Sequence, residues 1–496
     1  MSTSSPRVEA VRLDANRVRI ETPSGLDVTL FANARVPVDR ASLAELDAVS
    51  GIVESVRALD AVGFFGDSGV ASVRRAVLTP DFHRGAGVPV GTVLETEGMV
   101  FPRLAGTDIG CGMRLLATDL ACEEFEAIGR RLDDALRRLF FGGGRDIPLD
   151  EAGRAAILRE GAPGLRAPAT GGGIWRHLDP ARLAAELPRH HRGGSWPTDD
   201  LWAFGDFVRG SGGVSRDAVV ASIGGGNHFV EIQRVEECLD RRACWDWGLK
   251  RGRVAVMVHT GSLDIGAAVG THFADLARRI HPAGLPRPAH GFHPLPLVGP
   301  HAPHGRAYLS AMGLAANLAV VNRLLLGELT LRVLCEAAGR QIETRLVHDA
   351  PHNLAWAEGL RVLHRKGACP AERDPADRAF PDGQPVIVPG SMGDASWLLR
   401  GQGLAESLCS APHGAGRVIA RGEGRRADPA GLDRLRVVTR LDPLRIRRDI
   451  AQELRRNLLE EAPGNYKPVL PAMQTCADAG IALPVARLMP LLTCKG

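Results

Sequence analysis

The sequence predicts a mixed α+β protein. Short segments in which apolar and polar residues alternate predict half-buried strands, and longer segments with apolar residues at three- and four-residue steps predict helices. Glycine-rich turns separate these segments in a chain that has 58 glycines among 496 residues. Because 45% of the residues are hydrophobic, the chain has enough apolar side chains for one large core or for two to three smaller ones.

The predicted elements follow in chain order. Alternation over residues 1–40 predicts an N-terminal β element, carried by Val8, Val11, Leu13, Val18, Ile20, Val28 and Leu30. Helical spacing predicts helices over 41–62, 123–139 and 312–334, and apolar runs predict buried strands over 253–259 and 385–388. No repeat of 20 to 50 residues is visible, so a solenoid is excluded.

Two segments without periodicity are predicted to be loop-rich. Residues 160–215 are rich in Gly, Arg and Trp and are interpreted as a loop-rich insertion. Residues 280–305 contain five His and seven Pro and are interpreted as an ordered surface loop. A metal-binding histidine tract is the alternative interpretation of the second segment.

Charge and cysteine content exclude several classes of protein. The 61 basic and 57 acidic residues nearly cancel, so any contact with nucleic acid requires a local basic patch. The nine cysteines form no CxxC pair and no disulfide framework, which favours a reducing compartment. We see no secretory signal and no uninterrupted apolar run close to the roughly 20 residues of a membrane helix. A soluble cytoplasmic protein without membrane contact is therefore expected.

The segment Gly106–Met113 is the first candidate metal loop. Asp108 and Cys111 stand three residues apart between glycines that permit a tight, exposed turn. A hard carboxylate and a soft thiolate on one loop can bind a borderline metal, and a thiolate can bridge two ions. Taken alone, the motif is weak, and the interpretation of Cys111 as a small buried hydrophobic residue is favoured.

A second cluster follows a glycine run. Asn227, His228 and Glu231 come after Gly224-Gly-Gly226, whose backbone amides can approach an anion such as a phosphate. His259 ends the apolar run Val254–Val258 and opens a glycine loop, a favourable position for a metal ligand. The alternatives are a glycine turn that enters a strand and a structural histidine.

Three later segments carry further polar side chains. His352 and Asn353 can give an imidazole to a metal and an amide to a ligand. Arg365 and Lys366 can hold phosphates or form a solvated basic loop. His413 precedes small residues that allow close approach, so it can attack a phosphorus atom, and Arg417 follows four residues later.

Together these side chains predict a dinuclear metal site. The chain has no GxxxxGK[ST] segment, which excludes a P-loop enzyme, and no lysine-centred nucleotidyl-transfer motif, which argues against the lysine-dependent ligases.

The ordered set of motifs resembles the RtcB family of RNA-splicing ligases. The matching segments are Thr79-Pro-Asp-Phe-His83, Gly85-Ala-Gly-Val-Pro-Val-Gly91, Asp108-Ile-Gly-Cys-Gly112, Gly226-Asn-His-Phe-Val-Glu231, His259-Thr-Gly-Ser262, His352-Asn353, His364-Arg-Lys-Gly-Ala368, Pro389-Gly-Ser-Met-Gly393, His413-Gly-Ala-Gly-Arg417 and Lys495-Gly496. The resemblance spans nearly the whole chain. It implies one large catalytic domain over residues 1–496, with central β-sheets around a dinuclear metal cleft.

The resemblance also implies roles for individual residues. Two manganese ions would be held by Asp108, Cys111, His228, His259 and His352, with the Cys111 thiolate shared. His413 would be the nucleophile that becomes guanylylated. The GTP site would comprise Asn227, His228, Glu231, His352, Asn353, Pro389, Gly390, Ser391, Met392, Ser396, His413, Gly414, Ala415, Gly416 and Lys495. Arg365, Lys366 and Arg417 would contact RNA or phosphate.

The implied activity is the joining of 3′-phosphate or 2′,3′-cyclic-phosphate RNA ends to 5′-hydroxyl ends, in tRNA splicing or RNA repair. The implied partners are GTP, broken tRNA or rRNA, and an activating or ribosome-rescue protein; a monomer and a homodimer are both compatible. Leu263-Asp264 and Pro468 depart from the family pattern, which favours a divergent paralogue. The alternatives are 3′-end guanylylation or cyclic-phosphate hydrolysis without joining, and a non-catalytic RNA- or ribosome-binding factor.

Overall fold

The structure is a computed structural model that describes residues 8–38, 40–67, 69–85, 87–169, 171–210, 219–419, 435–443 and 445–496. Its helices are α1 (Arg40–Ser50), α2 (Ile52–Asp60), α3 (Pro102–Ala105), α4 (Cys122–Ile128), α5 (Arg131–Phe141), α6 (Glu151–Glu160), α7 (Pro180–Glu186), α8 (Gly205–Arg209), α9 (Arg241–Trp247), α10 (Asp264–Ile280), α11 (Ala302–Ala338), α12 (Arg448–Leu459) and α13 (Val469–Asp478).

The strands are β1 (Glu9–Arg12), β2 (Arg17–Glu21), β3 (Asp27–Phe31), β4 (Ser72–His83), β5 (Val90–Glu97), β6 (Met99–Val100), β7 (Gly112–Ala121), β8 (Phe229–Cys238), β9 (Arg253–Thr260), β10 (Leu295–Pro296), β11 (Thr344–Pro351), β12 (Asn353–Glu358), β13 (Arg361–Lys366), β14 (Ala368–Pro370), β15 (Pro385–Val388), β16 (Ser396–Gly401), β17 (Ser410–Pro412), β18 (Val437–Val438) and β19 (Ala482–Lys495).

Two large sheets contain most of these strands. The first sheet has the order β1-β2-β3-β4-β5-β13-β12, and the second has the order β11-β7-β9-β8-β19-β16-β15 with β18 beside β19. Strands β3 and β4 are parallel, whereas the strands that later carry the candidate site pair in antiparallel fashion. Two short sheets, β10-β6 and β14-β17, are also present. The prediction of a mixed α+β fold is confirmed.

Helix α11 lies in the largest hydrophobic core, beside the second sheet. Its 37 residues pack against β7 and β9, and buried side chains occupy every face of the helix. Length and composition alone would allow this helix to cross a membrane, but 89% of its most apolar 18-residue window is buried within the protein. A helix that is apolar all round and enclosed by protein belongs to a core.

The predicted strands agree closely with the observed ones. The alternating N-terminal segment forms β1, β2 and β3, and the apolar runs over 253–259 and 385–388 form β9 and β15. The period-2 pattern predicts these strands because successive side chains point to opposite faces of a sheet.

The predicted helices needed correction. The helix over 41–62 is two helices, α1 and α2, with Gly51 between them. The helix over 123–139 is divided into α4 and α5 near Gly129, whose φ of 64° is incompatible with a continuous helix. The helix over 312–334 is the central part of the longer α11.

The early start of α11 also corrects the loop predicted over 280–305. Residues 302–305 form the first turn of the helix, because proline is tolerated where the backbone N–H has no helical partner. The other loop-rich prediction, over 160–215, contains α7, α8 and short 3₁₀ turns, while residues 170 and 211–218 lie outside the described residues.

Candidate active site

One edge of the second sheet brings together the ends of four strands. Strand β7 begins at Gly112, which lies opposite Thr260 at the end of β9 and opposite Pro351 at the end of β11. Strand β8 begins at Phe229, which lies opposite His259 in β9. Because these neighbours are antiparallel, the start of one strand adjoins the end of the next. Side chains next to these ends are therefore close in space.

The five side chains expected as metal ligands meet at this edge. The Cys111 Sγ atom lies 3.3 Å from Nε2 of His228 and 3.2 Å from Nε2 of His259. Oδ2 of Asp108 lies 2.9 Å from Nε2 of His228, and the Nε2 atoms of His259 and His352 are 3.3 Å apart. Two groups of three potential ligands result, each with its ligand atoms within 4.8 Å of one another, and Cys111 belongs to both. A shared thiolate can bridge two ions.

The chemistry of this cluster fits divalent metal ions. Burial, reinforced by neighbouring histidines, lowers the pKa of His259 and of His352 well below the usual value, so both imidazoles are neutral and offer lone pairs. Burial and the nearby Asp108 raise the pKa of the Cys111 thiol, so a bound metal would displace its proton. Nδ1 of His228 is buried and has no hydrogen-bond partner within the described residues.

The histidines of residues 281–304 do not form a comparable cluster. His281 and His293 pack edge to face, and His301 stacks on His304, so these rings meet in pairs. Across the described ranges, groups of three potential metal ligands occur only around Cys111. The alternative of a histidine tract that binds metal therefore lacks a third ligand.

Arg323 on α11 holds the backbone of two loops that carry candidate ligands. Its guanidinium donates to the carbonyl oxygens of Gly110, at 2.6 Å, and of Thr260, at 3.0 Å. It also donates to Oδ1 of Asp349 at 2.9 and 2.8 Å, and both charged side chains are fully buried. Gly110 precedes the candidate ligand Cys111, and Thr260 follows the candidate ligand His259. Arg323 therefore fixes the distance between the two loops that carry these ligands.

Replacing Arg323 by methionine is expected to lower the free energy of unfolding by about 3–5 kcal/mol, because the buried Asp349 carboxylate loses its principal partner. Urea unfolding measures this change. The matched control is Arg332→Met on the same helix, whose ion pair with Glu336 is long, at 3.7 Å; we expect a loss of at most about 1 kcal/mol. Equal losses in the two variants would contradict a special role for Arg323.

His413 stands beside the metal-ligand cluster. It follows β17, and its ring centroid lies 4.8 Å from that of His352. Its Nδ1 lies 2.8 Å from Oδ2 of Asp81, and its backbone N–H donates to the same oxygen at 3.2 Å. Because an ionised carboxylate only accepts hydrogen bonds, the neutral form of this imidazole carries its proton on Nδ1 and its lone pair on Nε2. The imidazole is thus prepared to act as a nucleophile.

Asp81 is a site residue to which the sequence analysis gave no role, although it lies in the matching segment Thr79-Pro-Asp-Phe-His83. Burial alone would raise the pKa of Asp81, but hydrogen bonds from His413 and from the Thr79 hydroxyl, at 2.5 Å, hold it below its usual value. The carboxylate is therefore ionised. Asp81 and His413 are separated by 332 residues, so no local pattern indicated their contact.

A cavity of about 670 Å³ opens onto His413 and the candidate metal ligands. The expected site residues that line it are Asp108, Asn227, Glu231, His259, His352, Asn353, Lys366, Pro389, Gly390, Ser391, Met392, His413, Gly414, Ala415, Gly416, Arg417 and Lys495. Of the expected residues, Cys111, His228, Ser396 and Arg365 do not line the cavity. Cys111 and His228 nevertheless belong to the groups of potential metal ligands.

Glu231 provides a buried carboxylate at the cavity wall. Its Oε1 accepts a hydrogen bond from Thr493 at 2.6 Å, and its Oε2 accepts one from Gln233 at 2.5 Å. Ser396 is linked to Glu231 through Gln233, which also donates a hydrogen bond to the Ser396 hydroxyl at 2.9 Å. Gln233 and Thr493 were not predicted, because each lies two residues outside a matching segment. Each carboxylate oxygen keeps a second lone pair for a ligand.

The three basic residues expected at the site have different environments. Arg365 is buried, donates to Ser410 at 2.9 Å and lies 4.4 Å from the Trp356 ring centroid, so the structure does not bring it to the cavity. Lys366 lines the cavity, and its side chain makes no hydrogen bond or ion pair with the described part of the chain. Arg417 also lines the cavity and lies 3.6 Å from a carboxylate oxygen of Glu461.

Comparison with known proteins gives consistent matches. The family model described as tRNA-splicing ligase RtcB matches residues 69–496. The RNA-splicing ligase RtcB of Mycobacterium tuberculosis is 34% identical over 450 residues, which cover 86% of this chain and 97% of that relative. The tRNA-splicing ligase RtcB of Thermococcus kodakarensis is 33% identical over 449 residues, covering 85% and 87%. RNA-splicing ligase RtcB homolog 1 of Entamoeba dispar is 31% identical over 450 residues, covering 84% and 78%.

These matches, on a fold whose cleft is lined by potential metal ligands, define a class of enzyme, the RNA ligases. The chain belongs to the RtcB family of tRNA-splicing ligases. The resemblance inferred from the motifs is thereby confirmed.

Proposed function

We propose that this protein is a GTP- and manganese-dependent RNA ligase that joins 3′-phosphate or 2′,3′-cyclic-phosphate RNA ends to 5′-hydroxyl ends through guanylylated His413. The observation that carries the proposal is the environment of His413. Its ring lies 4.8 Å from that of His352, and Asp81 binds its Nδ1, which leaves the Nε2 lone pair available. A nucleophile is thus positioned directly beside a cluster that fits metal ions.

Asp108, Cys111, His228, His259 and His352 would hold two manganese ions, with Cys111 shared between them. Bound manganese would supply positive charge that offsets the charge of phosphate oxygens. The neutral imidazoles and the Asp108 carboxylate suit this role, since both are ligands of first-row metals.

The guanine base of GTP would lie against Glu231. The Watson–Crick edge of guanine carries two N–H donors, and the two oxygens of a carboxylate accept both. Thr493 and Gln233 fix the orientation of this carboxylate. The rest of the pocket would comprise Asn227, Asn353, Pro389, Gly390, Ser391, Met392, Gly414, Ala415, Gly416 and Lys495, with Ser396 acting through Gln233.

Lys366 is the best candidate for a phosphate contact. It is a cavity-lining ammonium group without a partner in the described residues, and its charge is close enough to Asp108 to affect the pKa of that group. Many family members carry an arginine after the His-Thr-Gly-Ser motif, where this chain has Leu263. The side chain of Leu263 borders Gly224 and supplies no charge. Lys366 and Arg417 would therefore provide the positive charge.

The reaction would proceed in balanced steps. Nε2 of His413 attacks the α-phosphorus of GTP, so a N–P bond forms and pyrophosphate leaves; Asp81 stabilises the positive charge that develops on the ring. An oxygen of the RNA 3′-phosphate, formed by hydrolysis where the end is cyclic, then attacks the same phosphorus, and the N–P bond breaks. Finally the 5′-hydroxyl attacks the activated 3′-phosphate, its proton passes to solvent, and GMP leaves.

A two-stage labelling experiment tests this proposal. Incubation of the protein with GTP labelled at the α-phosphate and with MnCl₂ is expected to give one acid-labile label per chain, and EDTA is expected to prevent labelling. After addition of RNA with 3′-phosphate and 5′-hydroxyl ends, the labelled GMP should move from the protein to the RNA 3′-end. It should then be released as free GMP while joined RNA accumulates. A wild-type protein that takes up no label would disprove the mechanism.

Analysis of the RNA products separates ligation from its alternatives. A joined strand indicates ligation, a 3′-end that retains GMP indicates guanylylation without joining, and a free 3′-phosphate indicates cyclic-phosphate hydrolysis. We propose that ligation predominates and acts on broken tRNA or rRNA in the cytoplasm. The family membership supports the choice of RNA as substrate.

A further inference from the structure

A second cavity, of about 490 Å³, lies far from the candidate active site. We call it the arginine cavity; it is bordered by α9, by the beginning of β11 and by residues 378–383. Arg345 lies near the start of β11, whereas His352 directly follows the end of this strand. With a rise of about 3.3 Å per residue, the two positions are about 23 Å apart. The two cavities share no lining residue.

The arginine cavity has an excess of positive charge. Its lining includes the arginines 189, 242, 345, 378 and 400, against the two aspartates 246 and 382. The guanidinium groups of Arg345 and Arg378 have no hydrogen-bond or ion-pair partner in the described part of the chain, and both residues are exposed. Arg242 lies 3.9 and 4.0 Å from the two aspartates, at the outer limit of an ion pair. Arg400 pairs with Asp240 at 3.3 Å. The uncompensated charge of this cavity therefore lies on Arg345 and Arg378, together with Arg189.

Mutual repulsion adds to this imbalance. Burial, together with the positive charge of Arg345, lowers the pKa of Arg189 to about 10. Among the described residues, the Arg189 guanidinium donates only to backbone carbonyl oxygens, those of Leu346 and Asp246, at 3.3 and 3.2 Å. An anion bound between the two guanidinium groups would relieve the repulsion, and planar guanidinium groups match the geometry of phosphate.

Aromatic side chains accompany these arginines. Trp245 on α9 is 82% exposed, although a large apolar ring is costly to leave in water. The buried rings of Trp247 and Phe380 pack edge to face at 6.4 Å, and the Arg189 guanidinium lies 5.4 Å from the Phe380 centroid. An exposed indole beside unpaired arginines is typical of surfaces that bind single-stranded nucleic acid, where bases stack and phosphates pair with cations.

We propose that the arginine cavity is a second RNA-binding site, which holds a single-stranded segment of the substrate away from the ends that are joined. Arg345 and Arg378 bind phosphates, and Trp245 stacks on a base. This inference rests on the proposed function in one respect, namely that RNA is the substrate. The site would raise the affinity for long RNA without contributing to the chemical steps.

The test measures RNA binding without any reaction. Fluorescence anisotropy is recorded with a fluorescein-labelled 15-nucleotide RNA that carries hydroxyl groups at both ends, in the absence of GTP and manganese. Arg345→Glu/Arg378→Glu is expected to weaken binding at least about tenfold and to lower the slope of log K against log salt by about 1.4. Trp245→Ala is expected to weaken binding by about 5- to 100-fold, while Trp245→Phe retains most of the affinity.

The matched control is Arg19→Glu/Arg57→Glu. These two substitutions change the net charge by the same amount as Arg345→Glu/Arg378→Glu. Arg19 on β2 and Arg57 on α2 are exposed, and neither lines a cavity. If the control weakens binding as much as Arg345→Glu/Arg378→Glu, the proposal is overturned. Unchanged binding by Trp245→Ala overturns the stacking contact, and complete displacement of RNA by a polyglutamate peptide of equal charge overturns the assignment to RNA.

Labelling by GTP is measured in the same variants to separate this inference from the proposed function. The cavity variants should be labelled at the wild-type rate, because the cavity lies far from His413. Absence of label in the wild-type protein would disprove the proposed chemistry and leave the binding measurement valid. Loss of label only in the cavity variants would contradict the separation of the two sites.

Discussion

Replacing His413 by alanine is expected to abolish covalent labelling of the protein by GTP, with a rate loss of at least about 10³-fold. The side chain that is removed supplies the attacking lone pair, and the described residues offer no second imidazole in the same position. His352 is the nearest ring, at 4.8 Å, but its neutral nitrogens belong to the metal-ligand cluster. The measurement is the initial rate of label incorporation from GTP in the presence of manganese.

His177→Ala is the control for this experiment. His177 is exposed and lies outside both cavities, so its loss should leave the labelling rate unchanged. Metal content should also be unchanged in His413→Ala, since His413 is not part of either ligand group. Label that persists in His413→Ala, stable to alkali and labile to acid, would show that another nitrogen is guanylylated.

Strands β1, β2, β3, β9 and β15 could be predicted from the sequence because their signal is local. The alternation of Val18 and Ile20, and the apolar run that forms β9, reflect which face of a strand is buried. The division of α4 from α5 near Gly129 could not be predicted from apolar spacing, because the spacing continues across the break. The positive φ of Gly129, a conformation that glycine adopts readily, marks this break.

The candidate ligands could be recognised individually from local patterns, whereas the five ligands and the shared Cys111 were implied only by the family resemblance. Each of them lies at or next to the end of a strand or in a glycine turn, where side chains can face a shared space. Which ends meet depends on strand order, and β11-β7-β9-β8 is not encoded in any local pattern. The antiparallel register, with Gly112 opposite both Thr260 and Pro351, creates the cluster.

Arg365 and Lys366 illustrate the same point for charged residues. They are consecutive in β13, so their side chains point to opposite faces of the sheet. Both were expected to contact RNA or phosphate, but a strand directs only one of the two side chains to the cavity. The structure buries Arg365 against Trp356 and leaves Lys366 at the cavity.

Replacing Asp81 by asparagine is expected to slow labelling by GTP by about 10²- to 10⁴-fold. The carboxylate accepts the Nδ1 proton of His413 at 2.8 Å and so keeps the lone pair on Nε2. An asparagine amide can instead donate to Nδ1, which moves the proton to Nε2 and blocks the nucleophile. The asparagine also lacks the negative charge that stabilises the ring as the N–P bond forms.

Thr79→Val provides the comparison that isolates this effect. It removes the hydroxyl that donates to Oδ1 of Asp81 but leaves the carboxylate and its contact with His413, so we expect a loss below about tenfold. Nitrogen-15 NMR of labelled histidines reports the tautomer directly, and the Nδ1–H form should persist in Thr79→Val and decrease in Asp81→Asn. If both variants slow labelling equally while His413 keeps its tautomer, Asp81 acts through packing and not through the proton on His413.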